Sequence, residues 1–181
     1  MNFQFYDPSV HVTGVDFSSL MIDKARIEFH GASRHQQPGR KIRLRRFSGI
    51  AAKESAIPAE FFVGDIEDVD LPEGAFDAVV STLSMCAYRN PATVLERLNR
   101  YCKDDGQILL MEHGKSSSWI VNSMLKLINP VHVRIIACHA NRDIGELLRQ
   151  SQLQIVKHER YWFDMIHLIW ATPTRQAFRN Q

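Results

Sequence analysis

Long apolar runs are missing from this chain. No stretch approaches the ~18–20 consecutive apolar residues a bilayer-crossing helix needs, and the first residues lack a basic-then-apolar secretory pattern. Cysteine is scarce too. Cys86, Cys102 and Cys138 lie far apart with no Cys-x-x-Cys pair, so spacing suggests neither a zinc site nor a disulfide framework, and a reducing, intracellular compartment is the simplest reading. A strong charge of one sign is also lacking, because the formal net charge of +2 is too small to announce a nucleic-acid binder. What is present is ordinary globular material. Hydrophobic residues at 45% and charged residues at 23% of 181 give enough apolar surface for one domain over residues 1–181 and exclude a wholly disordered chain.

The periodicity alternates between strand and helix. Residues 10–15 form a short β-branched run that reaches Asp16 and then the helix-opening pair Ser18 and Ser19. A helix over 19–29 would turn Leu20, Met21, Ala25 and Phe29 to one face. Between 31 and 58 the pattern dissolves into Arg, Lys, Ser, Gly and Gln, which reads as a basic surface insertion. Strands are expected over 59–63 and 76–83, the second being apolar enough to sit centrally in a parallel sheet. Asn90 and Pro91 supply a cap and a first helical residue, and this helix should run to the turn at Asp104, Asp105 and Gly106. Another apolar strand covers 107–111 and ends at Glu112, His113 and Gly114. A helix over 119–128 breaks near Asn129 and Pro130, Asn141 caps a helix over 142–150, and two closing strands around 154–161 and 166–172 pair as a hairpin.

This order predicts an α/β chain: a Rossmann-like, doubly wound, mostly parallel sheet with a C-terminal antiparallel hairpin. Such sheets bind ligands beyond the carboxyl ends of their strands. Asp16, Asp65, residues 84–89, and Glu112 with His113 fall there. An acidic residue at the position of Asp16 can accept hydrogen bonds from ribose hydroxyls, or it can simply cap the helix that follows. Asp65 and Ile66 suit an adenine, with the carboxylate taking the exocyclic amine, although turn chemistry also explains an aspartate there.

The segments 12–16, 81–86, 110–114 and 138–143, together with Gly64, Asp65 and Ile66, resemble the class I S-adenosylmethionine-dependent methyltransferases. The resemblance is to the branch similar to ubiquinone/menaquinone C-methyltransferases and phospholipid methyltransferases. It implies S-adenosylmethionine as cofactor, with Asp16, Phe17, Ser18 and Met21 near the ribose, Asp65 and Ile66 at the adenine, and Ser81, Thr82 and Leu83 along the methionine moiety. It further implies methyl transfer to a small-molecule or lipid-like acceptor, with residues 116–140 as lid or substrate wall. Where the acceptor must lose a proton, His113 and His139 are the titratable candidates for general base; a hydrogen-bonded or packed structural histidine is the default reading of each. No metal is implied.

The family's first strand and its glycine-rich turn would precede Met1, so the sheet is expected with its first strand missing, between the strand ending at Asp16 and the one ending near Ser81. A partner protein or an upstream segment would complete it. The alternative is a catalytically inactive, methyltransferase-like structural or assembly subunit of a large complex, with the mitochondrion as the expected compartment. Arg34, Arg40, Lys41, Arg43, Arg45 and Arg46 could touch nucleic acid or an anionic membrane surface, and a solvated loop is the default. The apolar residues of 119–137 would also suit peripheral membrane contact.

Overall fold

A computed structural model describes residues 3, 6, 7, 9–35, 59–136, 138, 139 and 141–174. These fall into two compact units, Met1–Val69 and Asp70–Gln181.

In the first unit, β1 (Val12–Asp16) pairs in parallel with β2 (Ala59–Val63), in the register Val12 to Ala59 through Asp16 to Val63. The Gly64 amide adds one more bond to the Asp16 carbonyl at 3.0 Å. Helix α1 (Ser19–His35) follows β1. It buries Ile22, Ala25 and Phe29, while Leu20 and Met21 are exposed. The expected inward face was therefore displaced: 22, 25 and 29 share a helical stripe that 20 and 21 do not join. Phe29 and Phe61 meet edge to face at 5.7 Å, and Phe3 packs on Phe29 at 5.2 Å, which seals the helix against the strand pair. Gly14 leaves the room this needs, since a Cβ there would lie 2.6 Å from the Phe61 ring. Helix α1 continues past the predicted end at Phe29 and takes up the first five residues of the predicted insertion. An internal glycine such as Gly31 costs only ~1 kcal/mol and does not by itself stop a helix. Arg34 falls in α1; Arg40, Lys41, Arg43, Arg45 and Arg46 lie outside the described residues.

The second unit holds a four-stranded sheet in the order β3-β4-β6-β5, made of β3 (Phe76–Thr82), β4 (Cys102–His113), β5 (Gln154–Tyr161) and β6 (Ile166–Thr172). β3 and β4 are parallel, and β6 alone runs against its neighbours, which delivers the predicted antiparallel hairpin. From Gly106 every second residue of β4 is buried, through Ile108, Leu110 and Glu112, and Cys102 is buried at its start. His167, Ile169 and Ala171 of β6 are buried as well. Helix α2 (Pro91–Tyr101) is capped as expected by Asn90, whose side chain accepts from the Thr93 amide, and it buries Val94, Leu95 and Leu98. Asn99 pins the described C-terminus by a two-way exchange with the Thr174 backbone at 3.0 and 2.9 Å.

Four expectations are corrected. α2 ends at Tyr101, not at the Asp104–Gly106 turn; those residues form an irregularity within β4, whose register advances from Phe76–Cys102 to Ala78–Gln107. Among the described residues β3 pairs with β4 alone and Val80 is half exposed, so the central placement expected from its apolar run is not met there. α3 (Trp119–Ile136) runs through Pro130 without a break, because the ring removes a single amide donor and the neighbouring turns keep theirs. α4 (Ile144–Gln150) is capped by Asp143, not Asn141, with its carboxylate accepting from the Glu146 amide at 2.9 Å. Among the described residues β1 pairs only with β2, and β3 only with β4.

Candidate functional site

In the first unit, the parallel ladder brings Asp16 and Asp65 to the same end. Asp16 closes β1, and Asp65 follows β2 by two residues. One oxygen of each carboxylate is fixed locally: Asp16 Oδ1 accepts from the Ser18 amide at 2.8 Å and Asp65 Oδ1 from the Glu67 amide at 2.9 Å. These short turns tie each carboxylate to the backbone two residues on. Ser18 Oγ accepts in turn from the Met21 amide at 3.4 Å. Phe17 and Met21 are exposed, and Ile66 is half-buried.

In the second unit the chemistry gathers where β3 and β4 end. Glu112 is fully buried, and it is held by three donors: Ser81 Oγ at 2.7 Å and Ser84 Oγ at 3.4 Å to Oε1, and the Met85 amide at 3.0 Å to Oε2. Burial pushes its carboxyl above the usual range, and the Ser81, Met85 and Ser84 donors pull it back. Ser81 is buried, Thr82 is exposed, and Leu83 adopts a left-handed backbone with φ of 52°. That conformation costs a leucine about 1–2 kcal/mol; it is fixed here by a 2.7 Å bond from the Leu83 amide to the Met111 carbonyl.

The loop after β3 is stitched to the segment after α3. The His139 amide donates to the Cys86 carbonyl at 3.0 Å, and the Arg142 guanidinium donates to the Tyr88 carbonyl. This juxtaposition places Cys138 beside His113, whose Nε2 lies 3.1 Å from the Cys138 sulfur. Cys86 completes the group, and its sulfur, the Cys138 sulfur and a His113 ring nitrogen all lie within 4.8 Å of one another. Gly114 fits this corner because a Cβ would come 2.6 Å from the Arg142 carbonyl.

A second cluster lies behind the sheet end. His158 and His167 share a 2.8 Å hydrogen bond, and His167 Nε2 is buried with no hydrogen-bond partner among the described residues. They face a cavity of about 280 Å³ that also meets Lys115, Asp143, Arg149 and Asp164. Burial, then the charges of His158 and Arg160, push His167 down to about 4.

The predicted residues thus divide by unit: Asp16, Phe17, Ser18, Met21, Asp65 and Ile66 in one, and Ser81, Thr82, Leu83, His113 and His139 in the other. The sequence reading missed the sulfur-imidazole cluster and the histidine pair. The sulfur-imidazole cluster leaves no spacing signal, because it is assembled from elements distant in the chain; His158 and His167 are nine residues apart on the closing hairpin, and only its register brings them together. The sequence reading placed Glu112 at a strand end without its burial; the signal that could have shown it is the buried period of Ile108 and Leu110, which Glu112 continues.

Comparison with known proteins gives the family and the fold. The family described as "Methyltransferase domain" matches residues 3–110. A yeast (Saccharomyces cerevisiae) protein named "Methyltransferase OMS1, mitochondrial" is 29% identical over 85 residues, covering 47% of this chain and 18% of the relative. Human "Thiol S-methyltransferase TMT1B" is 29% identical over 163 residues, covering 88% of this chain and 58% of the relative. The chain therefore spans less than two thirds of either relative's length. A putative methyltransferase from Bacillus halodurans superposes with a TM-score of 0.63 at 13% identity, over 91% of this chain and 84% of that one, which supports the Rossmann-like fold. Among the described residues no helix is long and apolar enough to cross a membrane. With the family match extending over more than half of its length, this chain belongs to the class I S-adenosylmethionine-dependent methyltransferases.

Proposed function

We propose that the protein catalyses methyl transfer from S-adenosylmethionine to an apolar small-molecule or lipid-like acceptor. The observation that carries this reading is the placement of Asp16 and Asp65 at one end of a parallel strand pair, each with one carboxylate oxygen tied down by a local amide. The donor set fits a nucleoside. Asp16 Oδ2 is positioned to accept from ribose hydroxyls, Asp65 suits an exocyclic amine, and half-buried Ile66 suits an aromatic ring face. The cofactor supplies an already activated methyl group. The chain therefore contributes binding, alignment and exclusion of water, and such positioning can be worth roughly 7–11 kcal/mol.

Helix α3 serves in this reading as the acceptor-side wall. Ile120, Met124, Leu127, Ile128 and Val131 recur at helical spacing and are exposed, Leu127 at 84%. The name of the human relative makes thiols the first acceptors to try, and that of the yeast relative supports a mitochondrial location. A further strand, from a partner protein or an upstream segment, completes the sheet in this reading. His113 and His139 are general-base candidates only for acceptors that must lose a proton.

Calorimetric titration of the purified protein with S-adenosylmethionine tests the reading. Asp16→Ala removes charge-assisted hydrogen bonds worth about 1.5–3 kcal/mol and should weaken binding roughly 10–100-fold. Unchanged affinity in that variant would remove Asp16 from the site. A methyl-transfer assay with thiol and lipid acceptors then decides the acceptor class.

A further inference from the structure

We infer that Cys86, His113 and Cys138 form a binding site for a soft divalent metal ion of the zinc type, with a fourth coordination position left open. Cys86 comes from the loop after β3, His113 from the last residue of β4, and Cys138 from the segment after α3. Three elements of one unit thus converge two sulfurs and one imidazole nitrogen within 4.8 Å.

The distances suit an ion. A tetrahedral zinc bonds sulfur at about 2.3 Å and nitrogen at about 2.0–2.1 Å, which sets ligand atoms roughly 3.5–3.8 Å apart. The His113 Nε2 to Cys138 Sγ separation is 3.1 Å, so ligation asks this pair to open slightly and the third ligand to draw in by about 1 Å or less. Two thiolates and an imidazole select zinc over magnesium or calcium, which prefer oxygen.

The surroundings hold the ligands in place. The Cys86 carbonyl is fixed by the His139 amide, and the Cys86 sulfur donates toward the Leu83 carbonyl at 3.7 Å. Cys86 is buried, whereas His113 and Cys138 are half-buried, so an ion has an approach on one side. Without a metal, burial and then the neighbouring Cys138 and Glu112 push the Cys86 thiol up to about 12. Coordination reverses that preference, because a bound divalent cation stabilises thiolates outright. The two cysteines release their S–H protons to solvent, and the imidazole ligates in its neutral form through Nε2. Three protein ligands with one open position match the arrangement of catalytic rather than closed structural zinc sites.

The test is cobalt titration of the reduced, metal-stripped protein. Saturation at one equivalent is expected, with a near-ultraviolet thiolate-to-cobalt charge-transfer band and visible absorption of tetrahedral intensity, both erased by one equivalent of zinc. Cys86→Ser, Cys138→Ser and His113→Ala should each lose or shift the band, while Cys102→Ala should keep it, with far-ultraviolet circular dichroism confirming that every variant is folded. Should Cys86→Ser fail to fold, Cys138→Ser at the half-buried position carries the test. A folded wild-type protein that shows no band overturns the inference. So does a band indifferent to Cys138→Ser, or metal-indifferent thiols that only close into a Cys86–Cys138 disulfide in air.

Discussion

Ser81 Oγ donates to Glu112 Oε1 across 2.7 Å, joining the end of β3 to the end of β4 through a carboxylate with no solvent exposure. The same carboxylate takes the Met85 amide, so the first turn of the loop leading to Cys86 depends on it. A buried acid held by donors from the neighbouring strand and loop acts as a clamp, and the cost of burying it is offset only while those donors remain.

Removing the clamp should therefore be expensive. Glu112→Ala leaves the Met85 amide without its acceptor in a buried site, a loss of about 1–3 kcal/mol, while the Ser81 hydroxyl keeps the Ser84 hydroxyl as a partner at 2.6 Å. Urea denaturation should show a lower midpoint, and the cobalt signal at Cys86 should weaken because its loop is no longer anchored. A midpoint equal to wild type would mean that the loop is held by other contacts.

The histidine pair gives the stability a pH dependence of known sign. His167 is pushed from 6.5 down to about 4 in the folded protein, so as pH falls the unfolded chain takes up its proton first. Stability from this group is complete above about 6.5 and drains as pH falls toward 4. Glu112, with its carboxyl raised by burial, acts with the opposite sign, so the comparison to make is with His167→Gln. Thermal unfolding between pH 4 and 6.5 should have a shallower slope in that variant, and parallel slopes would contradict the assignment.

Gly14 offers a steric test in the first unit. In Gly14→Ala the new Cβ meets the Phe61 ring at 2.6 Å, and forced repacking of this kind costs about 1–3 kcal/mol. Pairing it with Phe61→Leu should recover part of the loss, since the two positions share one contact. Additive losses in denaturant titrations would show that the clash is relieved elsewhere.

Much of this was legible in the chain itself. The alternation of β-branched runs with capped amphipathic segments determined the element order, the closing hairpin and the Asn90–Pro91 helix start, because local periodicity and capping are read over a few residues. The strand-end positions of Asp16 and Asp65 followed from the same periodicity. The tertiary structure decided which helical stripe of α1 turns inward and, among the described residues, that β3 pairs on one side, since both depend on what packs alongside; it also showed that α3 passes through Pro130. It alone brought Cys86, His113 and Cys138 into one cluster and His158 against His167. Contacts between residues 25 or more positions apart, as for His113 and Cys138, are set by how strands and loops close on one another, and no spacing along the sequence encodes them.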